Sequence, residues 1–237
     1  GSLYFIDTLK DLGLDYLFLT NNSSKHRGIY ADKITRLGLP VTEDKVFTAG
    51  EATALYLARE HPAAPVYVVG TPALEEEFRG HGFLLEENNP NLVVLGFDTT
   101  LTYQKLWKLC DFVRAGLPYI ATHPDFNCPT KTGYMPDIGA MIAFVRAATG
   151  RDPDLVVGKP NRMIIDAVSQ KYGWSISEMA MVGDRLYTDI ALGQTSGITT
   201  CLVLSGETTR EDLAASPFKP TYTFTNLGAI ADLLKNH

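Results

Sequence analysis

The sequence has few cysteines, no long apolar run and no cluster of basic residues. Its three cysteines, Cys110, Cys128 and Cys201, lie far apart, so no pair has the spacing of a metal site. Their odd number also argues against a disulfide framework. No apolar stretch approaches the roughly 18 residues of a membrane span, and no signal peptide is visible. With a net charge of −6 and no basic patch, the chain is predicted to be cytoplasmic and to bind neither nucleic acid nor membrane.

What the chain does have is an alternation of strand-like and helix-like segments. Apolar residues make up 45 % of the 237 residues, which is enough for a sizeable core. The strand-like runs are Tyr16–Leu19, Val66–Val69, Leu92–Leu95, Tyr119–Ala121, Leu155–Val157, Met179–Val182, Thr200–Leu204 and Tyr222–Phe224. The amphipathic helical segments include Ala49–His61, Tyr103–Ala115, Ile138–Thr149 and Met163–Tyr172. This alternation is typical of parallel sheets covered by helices, so it predicts an α/β fold.

The middle of the chain holds strands and helices of its own. We therefore predict an inserted domain at 71–157 and a first domain formed by 1–70 and 158–237. The insertion contains His123–Gly139, which is rich in Pro, Gly, Asn and Thr and is predicted to be an irregular, functional loop. There Asp125 and Asn127 could reach the organic part of a ligand, or could only stabilise turns. His123 is predicted to be structural rather than a proton shuttle.

Two carboxylates follow the apolar run Met179–Val182. The run ends at Gly183, and Asp184 and Asp189 come next, five residues apart. In open α/β sheets ligands bind at the carboxyl ends of the strands. Two acids there suit a hard cation such as Mg²⁺, which prefers one or two carboxylates together with a phosphate. The alternative is a capped turn without a ligand.

Two further strand ends carry polar residues. The run Tyr16–Leu19 leads into Thr20, Asn21, Asn22, Ser23 and Ser24, and a strand-to-helix turn of this kind can hold a phosphate with its backbone N–H groups. The alternative for this loop is an ordinary helix cap.

Lys159 follows the run Leu155–Val157, with Pro160 expected in the first turn of a helix. The alternative for Lys159 is an exposed surface lysine. A phosphate-binding loop, a cation and a metal site that converge in one pocket would suit phosphoryl transfer, since that chemistry depends on positioning and charge stabilisation.

The order of these motifs resembles the haloacid-dehalogenase superfamily, and more narrowly its subfamily IIA of 4-nitrophenyl-, phosphoglycolate- and pyridoxal-phosphatases. The resemblance also covers Ala121–Asp125, Pro136–Ala140 and Leu202–Gly206. It implies a three-layer αβα Rossmann-like core with a large inserted α/β cap domain that screens water and selects substrate. It further implies a Mg²⁺-dependent hydrolase of small-molecule phosphate esters that works through an aspartyl-phosphate, and it leaves a homo-oligomer open.

The resemblance also implies roles for single residues. Thr20 and Asn21 match residues that hold the phosphate, and Asn22 and Ser23 belong to the same loop. Lys159 matches the lysine that steadies nucleophile and phosphate. Asp184 matches a Mg²⁺ ligand, and Asp189 matches the second acid that supports it.

One part of the family pattern has no counterpart here. The family begins with a strand that ends in Asp-x-Asp-Gly-Thr, whose first Asp is the nucleophile, and this chain contains no such segment. Asp7 and Asp11 lie in a helical run, and Asp98 follows a strand of the insertion, so none is expected to replace it. We therefore predict that the nucleophile lies in an amino-terminal segment absent from this chain, and that this polypeptide alone has no phosphatase turnover.

The position of the absent strand can be tested. If its place is kept, the strands ending near Leu19 and Val182 should lie about 10 Å apart, and direct pairing would contradict the prediction. Two other functions remain open. One is an inactive phosphate-ligand-binding protein, and the other, which the large insertion disfavours, is a phosphoacceptor signalling domain.

Overall fold

The computed structural model describes residues 1–236 as alternating helices and strands. The strands are β1 (Phe18–Thr20), β2 (Val46–Thr48), β3 (Val66–Val69), β4 (Leu92–Leu95), β5 (Tyr119–Ala121), β6 (Asn127–Thr130), β7 (Gly133–Pro136), β8 (Leu155–Val156), β9 (Ala180–Gly183), β10 (Thr199–Val203) and β11 (Tyr222–Phe224). The helices are α1 (Ser2–Asp11), α2 (Arg27–Arg36), α3 (Ala49–Glu60), α4 (Pro72–Gly80), α5 (Tyr103–Arg114), α6 (Ile138–Thr149), α7 (Met163–Tyr172), α8 (Ala191–Ser196), α9 (Arg210–Ala215) and α10 (Leu227–Lys235). None of these helices is both long and apolar enough to cross a membrane.

The strands form two parallel sheets and two smaller pairs. One parallel sheet has the order β3-β4-β5-β8, and the other has the order β11-β10-β9. Strands β6 and β7 form an antiparallel hairpin, and β1 pairs with β2. Parallel neighbours need a long connection, and helices supply it along this chain. The predicted α/β fold is therefore confirmed.

The contacts divide the chain into two compact units. The first unit contains Gly1–Phe18, Ala31–Lys45 and residues 159–236, and the second contains Leu19–Tyr30 and Val46–Gly158. The sequence predicts Val66–Val69 in the first domain, but β3 pairs with β4 in the sheet of the second unit. That sheet therefore begins before the expected crossing at residue 70. The domain assignment itself stays a prediction.

The second unit is built around its four-stranded sheet. Tyr67 and Val69 of β3, Val93 and Leu95 of β4, and Tyr119 of β5 belong to one buried core. Helices α5 and α6 pack on this core through residues that are likewise buried, Leu109, Val113, Ile138 and Val145. Threonine and aspartate side chains cap these helices: Thr102 accepts an N–H bond at the start of α5, and Asp137 does so for α6.

The first unit packs its two terminal helices on the sheet β11-β10-β9. Phe5 and Leu9 of α1 lie in one buried cluster with Ile230 of α10 and Val203 of β10. A second, smaller cluster joins Leu202 to residues that follow β9, Leu186 and Ile190. These contacts hold the segment after β9, where the predicted acids lie.

Two local expectations are wrong. The stretch 123–139 is not irregular, because β6 and β7 pair in register from Asn127↔Pro136 to Thr130↔Gly133 around a two-residue turn. This hairpin is mostly exposed and so lacks the apolar alternation that reveals a strand. Pro160 does not open a helix either, because α7 begins only at Met163. The short strand β2 was not predicted.

Candidate active site

The two acids after β9 each lie against a glycine. A Cβ atom on Gly183 would come within 2.4 Å of Oδ2 of Asp189, and one on Gly206 would come within 2.0 Å of Oδ2 of Asp184. Atoms do not approach so closely, so only glycine leaves room for either carboxylate. The chain after Asp184 makes a π-helical turn, Leu186–Ile190, that carries Asp189 back towards the strand. Such turns are frequent at functional sites.

Asp189 forms a buried ion pair with Lys159. Lys159 Nζ lies 2.7 Å from Asp189 Oδ1, and the two side chains are only 9 % and 7 % exposed. Asp189 Oδ2 accepts a hydrogen bond from the backbone N–H of Arg185 at 3.2 Å. The alternative reading of Lys159 as an exposed surface lysine is therefore wrong. Because both carboxylate oxygens of Asp189 have donors, its direct effect is to hold the lysine in place.

Only one of the two carboxylate oxygens of Asp184 accepts a hydrogen bond from the described residues. Its Oδ2 accepts a hydrogen bond from the backbone N–H of Glu207 at 2.8 Å, and its carbonyl oxygen accepts one from the hydroxyl of Thr208 at 2.5 Å. Its other carboxylate oxygen has no hydrogen-bond donor among residues 1–236, and the residue is partly exposed. Glu207 in turn accepts from Arg185 Nε at 2.8 Å. An oriented carboxylate with one oxygen left over fits a hard cation that keeps most of its waters.

Two other groups of side chains lie close enough to share an ion. Their members are Glu51, Glu77 and His81 in one group, and His123, Asp125 and Asp137 in the other, with ligand atoms within 4.8 Å of one another. Both groups already have partners for a carboxylate, since Arg27 lies 3.3 Å from Glu51 and Nε2 of His123 lies 3.0 Å from Oδ1 of Asp137. Neither group includes Asp184, so the predicted metal ligand stays a prediction.

The loop after β1 lies in the second unit and is ordered by its own side chains. Thr20 Oγ1 accepts the backbone N–H of Asn22, and Asn22 Oδ1 accepts the N–H and the hydroxyl of Ser24 at 2.9 and 2.7 Å. These are short-range turns in which side chains replace backbone acceptors. Ser23 is fully buried, so it supports the loop from behind. The phosphate contacts predicted for residues 20–23 stay predictions.

Asn21 connects this loop to the inserted segment. Its Nδ2 donates to both carboxylate oxygens of Asp125, at 3.2 and 3.3 Å. The structure thus brings together two residues predicted to bind substrate, 104 positions apart in the chain. Asn127 does not join them, because it is the exposed first residue of β6.

The comparisons with known proteins decide the family. The chain is 37 % identical to the 5′-nucleotidase YutF of Bacillus subtilis, over 94 % of this chain and 87 % of that protein. Family models described as haloacid dehalogenase-like hydrolase and HAD-hydrolase-like match residues 1–84 and 156–230. The chain belongs to the haloacid dehalogenase-like hydrolases. An acid sugar phosphatase of Staphylococcus epidermidis is 36 % identical, over 99 % of this chain and 91 % of its own length.

Solved structures of this family superpose closely on the chain. A 4-nitrophenylphosphatase from Thermotoga maritima matches with a TM-score of 0.95 and 48 % identity, over 98 % of this chain and 89 % of that one. A p-nitrophenyl phosphatase from Archaeoglobus fulgidus matches with a TM-score of 0.91 and 35 % identity, over 97 % and 90 %. The predicted haloacid-dehalogenase fold and the predicted enzyme class, a phosphoric monoester hydrolase, are confirmed.

Within this hydrolase, several residues that shape the site were missed from the sequence. Gly158 is one of them: a Cβ there would lie 2.8 Å from Asn21 Oδ1 and 2.7 Å from the carbonyl oxygen of Thr122. Gly183 and Gly206 are the others. A glycine at the end of a strand or within three residues after it was the available signal, but it does not say which side chain needs the space.

The predicted site residues of this hydrolase are divided between the two units. Lys159, Asp184 and Asp189 belong to the first unit, while Thr20 to Ser23, Asp125 and Asn127 belong to the second. The convergence of the two groups in one pocket stays a prediction.

Proposed function

We propose that this hydrolase is a Mg²⁺-dependent phosphatase of small-molecule phosphomonoesters that works through an aspartyl-phosphate intermediate. One observation carries the proposal. Asp184, at the carboxyl end of β9, has one oxygen fixed by the N–H of Glu207 and the other without a donor in the described chain. Mg²⁺, when bound there, would offset negative charge on a phosphate.

The buried pair of Lys159 and Asp189 would supply the second charge. A buried lysine with a carboxylate 2.7 Å from its Nζ keeps its ammonium in one place. A preorganised positive charge in a water-poor site stabilises charge that develops on a phosphoryl group, because no reorganisation is needed when the reaction occurs. In the proposal Lys159 acts on the phosphate and Asp189 orients Lys159.

The nucleophile is proposed to lie in a segment that this chain does not include. Asp7 and Asp11 are exposed residues of helix α1 and do not follow a strand. Asp98 is already bonded to Thr100 and, at 2.6 Å, to Lys105 Nζ. Strand β9 pairs only with β10 among the described strands, and β1 pairs with β2. The direct pairing of β1 with β9 that would contradict this assignment is therefore not found in residues 1–236.

The names of the relatives support a small phosphate ester but do not single one out. They include a 5′-nucleotidase, an acid sugar phosphatase and a 4-nitrophenylphosphatase. We propose that the phosphate is bound by the loop from Thr20 to Ser23 and that Asp125 and Asn127 contact the organic group. A cytoplasmic location and a homo-oligomer remain predictions.

A turnover measurement tests the proposal. The 237-residue polypeptide, and the same polypeptide extended at its amino end by an in-frame Asp-x-Asp-Gly-Thr segment, are each assayed with 4-nitrophenyl phosphate, with and without Mg²⁺. We expect turnover only from the extended form with Mg²⁺, and a loss of at least a hundredfold in its Asp184→Asn variant. Asp11→Asn, an exposed helical carboxylate, is the matched control and should change nothing.

Two outcomes would contradict different parts of the proposal. A rate in the 237-residue polypeptide that Asp184→Asn abolishes would require a nucleophile within this chain. Phosphate binding without turnover in the extended form would favour the inactive phosphate-binding protein.

A further inference from the structure

A chain of four buried side chains runs through the second unit. Ser23 Oγ lies 2.8 Å from Thr122 Oγ1, which lies 3.1 Å from Nδ1 of His123. On the other side of the ring, Nε2 of His123 lies 3.0 Å from Asp137 Oδ1. Ser23, Thr122 and His123 are fully buried and Asp137 is 3 % exposed. Polar groups this deep in a protein need a partner for every proton.

The groups at the two ends of this hydrogen-bond chain determine which atom donates in each of its bonds. At one end the backbone N–H of Phe97 donates to Ser23 Oγ at 2.9 Å, and among residues 1–236 Thr122 Oγ1 is the acceptor within hydrogen-bond distance of the Ser23 hydroxyl, so Ser23 donates to Thr122. Thr122 can then donate to Nδ1 of His123 only if that nitrogen carries no proton. At the other end Asp137 Oδ1 accepts the N–H of Ile138 at 2.7 Å and is an acceptor for His123. Every donor is matched when His123 is neutral with its proton on Nε2.

The other protonation states leave a group unmatched. An imidazolium would donate from Nδ1 to Thr122 and so reverse the chain, and the Ser23 proton would then have no acceptor among residues 1–236. The opposite neutral tautomer would turn the Nε2 lone pair towards the Asp137 carboxylate, which is repulsive. An unmatched buried proton costs about 1–3 kcal/mol, so the Nε2–H form is favoured.

The chain of hydrogen bonds from Ser23 to Asp137 lies close in sequence to the contact between Asn21 and Asp125. Ser23 lies two residues after Asn21, and His123 lies two residues before Asp125. Backbone hydrogen bonds join the segment around Asp137 to the segment around Asp125. The N–H of Asp137 donates to the carbonyl of Phe126 at 2.9 Å, and the N–H of Gly139 donates to the carbonyl of Asp125 at 2.8 Å. Both loops that present Asn21 and Asp125 are thus joined through His123.

We propose that neutral, Nε2-protonated His123 is a positioning residue that sets Asn21 relative to Asp125 through the hydrogen-bond chain Ser23–Thr122–His123–Asp137. Its relevance to catalysis rests on the proposed function, but the positioning itself does not. Asn21 and Asp125 make the contact with substrate in that proposal, and His123 acts only through them.

The first test is the tautomer, read from the ¹⁵N NMR signals of His123 in the 237-residue protein at pH 7. We expect a proton on Nε2 and none on Nδ1. Asp137→Asn should keep this tautomer and fold, because the asparagine oxygen can still accept from His123 and from the N–H of Ile138. A doubly protonated ring, or a proton on Nδ1, would overturn the proposal.

The second test reads the position of Asn21 directly, without any ligand. Thr122→Val removes one hydroxyl from the chain, and Thr53→Val is its matched control. Thr53 is equally buried in the same unit, and its hydroxyl bonds only within α3, to the carbonyl of Ala49 at 2.7 Å. We expect the side-chain amide of Asn21 to lose its distinct NMR signals and its slow hydrogen exchange in Thr122→Val only. Unchanged Asn21 signals in folded Thr122→Val would overturn the proposal.

A phosphate titration separates this proposal from the proposed function. With Mg²⁺ present, we expect Thr122→Val to weaken the binding of inorganic phosphate about tenfold, which corresponds to about one hydrogen bond, and Thr53→Val to leave it unchanged. If the wild-type protein binds no phosphate, the proposed phosphate site fails, whereas the Asn21 signals still decide whether His123 positions that residue.

Discussion

Two strands at the ends of their sheets, β3 and β9, follow the same sequence pattern but are covered very differently. All four residues of β3 are buried, whereas no residue of β9 is. The outer side of β3 is partly covered, because Val66 makes an isolated parallel bridge with Leu85. Among residues 1–236 no strand pairs with the outer side of β9. Edges of sheets are normally paired or covered, so β9 is the unusual one.

The residues after the two strands differ in the same way. Both strands run into a glycine, Gly70 after β3 and Gly183 as the last residue of β9. A Cβ on Gly70 would come within 2.7 Å of Leu74 Cδ2, so this glycine makes room for an apolar side chain. Gly183 instead makes room for the Asp189 carboxylate. One local pattern thus serves core packing in one unit and a charged site in the other.

The largest expected difference concerns that charged site. Asp189→Asn removes the carboxylate that lies 2.7 Å from the buried ammonium of Lys159, and this should cost about 3–5 kcal/mol in the free energy of unfolding. The measurement is urea unfolding of the first unit, followed by a probe in that unit. The control is the double variant Lys159→Met with Asp189→Leu, which removes both charges and should recover most of the loss. A single variant as stable as wild type would mean that water reaches this pair.

Matched valines sharpen the comparison of the strands themselves. Val69→Ala in β3, which is fully buried, should cost about 2–3 kcal/mol, because two methyl groups leave a cavity that the core cannot fill. Val182→Ala in β9, which is only partly buried, should cost less than about 1 kcal/mol. Equal losses in denaturant unfolding would show that β9 is covered as completely as β3.

Alkaline pH should act on the unit that contains β3. Burial, helped by the negative charges of Glu87 and Asp98, raises the pKa of Tyr67 from 10.0 to about 12, and burial also raises the pKa of Tyr30 and Tyr119. A raised pKa means that the unfolded chain ionises first. The stabilisation by Tyr67 is therefore present below pH 10 and is lost as the pH rises towards 12.

Unfolding measured from pH 9 to 11.5 checks this. Tyr67→Phe should have a shallower loss of stability over that range, although it also loses the hydrogen bond to the carbonyl of Lys105. Parallel curves for the variant and the wild-type protein would mean that Tyr67 does not ionise differently in the folded state.

The difference between the two strands also explains what the sequence could predict. Val66–Val69, Leu92–Leu95, Tyr119–Ala121 and Tyr222–Phe224 were predicted residue for residue. They are short runs rich in β-branched and aromatic residues, with polar residues, Pro or Gly nearby. Burial accounts for that pattern in the first three, while Tyr222–Phe224 is mostly exposed and was recognised by its residue types alone. The hairpin β6–β7 escaped prediction because it is largely exposed. The short strand β2 was hidden because it runs directly into α3.

The sequence was enough to predict which residues belong to the candidate site, but not which of them contact one another. The acids and Lys159 follow strands, which a sequence reveals. That Lys159 is buried depends on Asp189, thirty residues further along the chain. The role of Gly206 depends in the same way on Asp184, whose carboxylate it faces from a different loop. Contacts of this kind arise only when strands assemble into a sheet.

The smallest expected effect distinguishes a glycine that shapes the site from one that does not. In Gly206→Ala the new methyl group would overlap Oδ2 of Asp184, so the carboxylate must move away from the N–H of Glu207. We expect Mg²⁺ affinity, measured by calorimetry, to fall about tenfold, as when an outer partner of a metal ligand is lost. Gly80→Ala is the control, because a Cβ at the end of α4 meets nothing within 4 Å, and it should leave Mg²⁺ binding unchanged. If Gly206→Ala bound Mg²⁺ as wild type does, the oxygen of Asp184 held by Glu207 would not orient the metal ligand, and the contrast between the two strand ends would be one of packing alone.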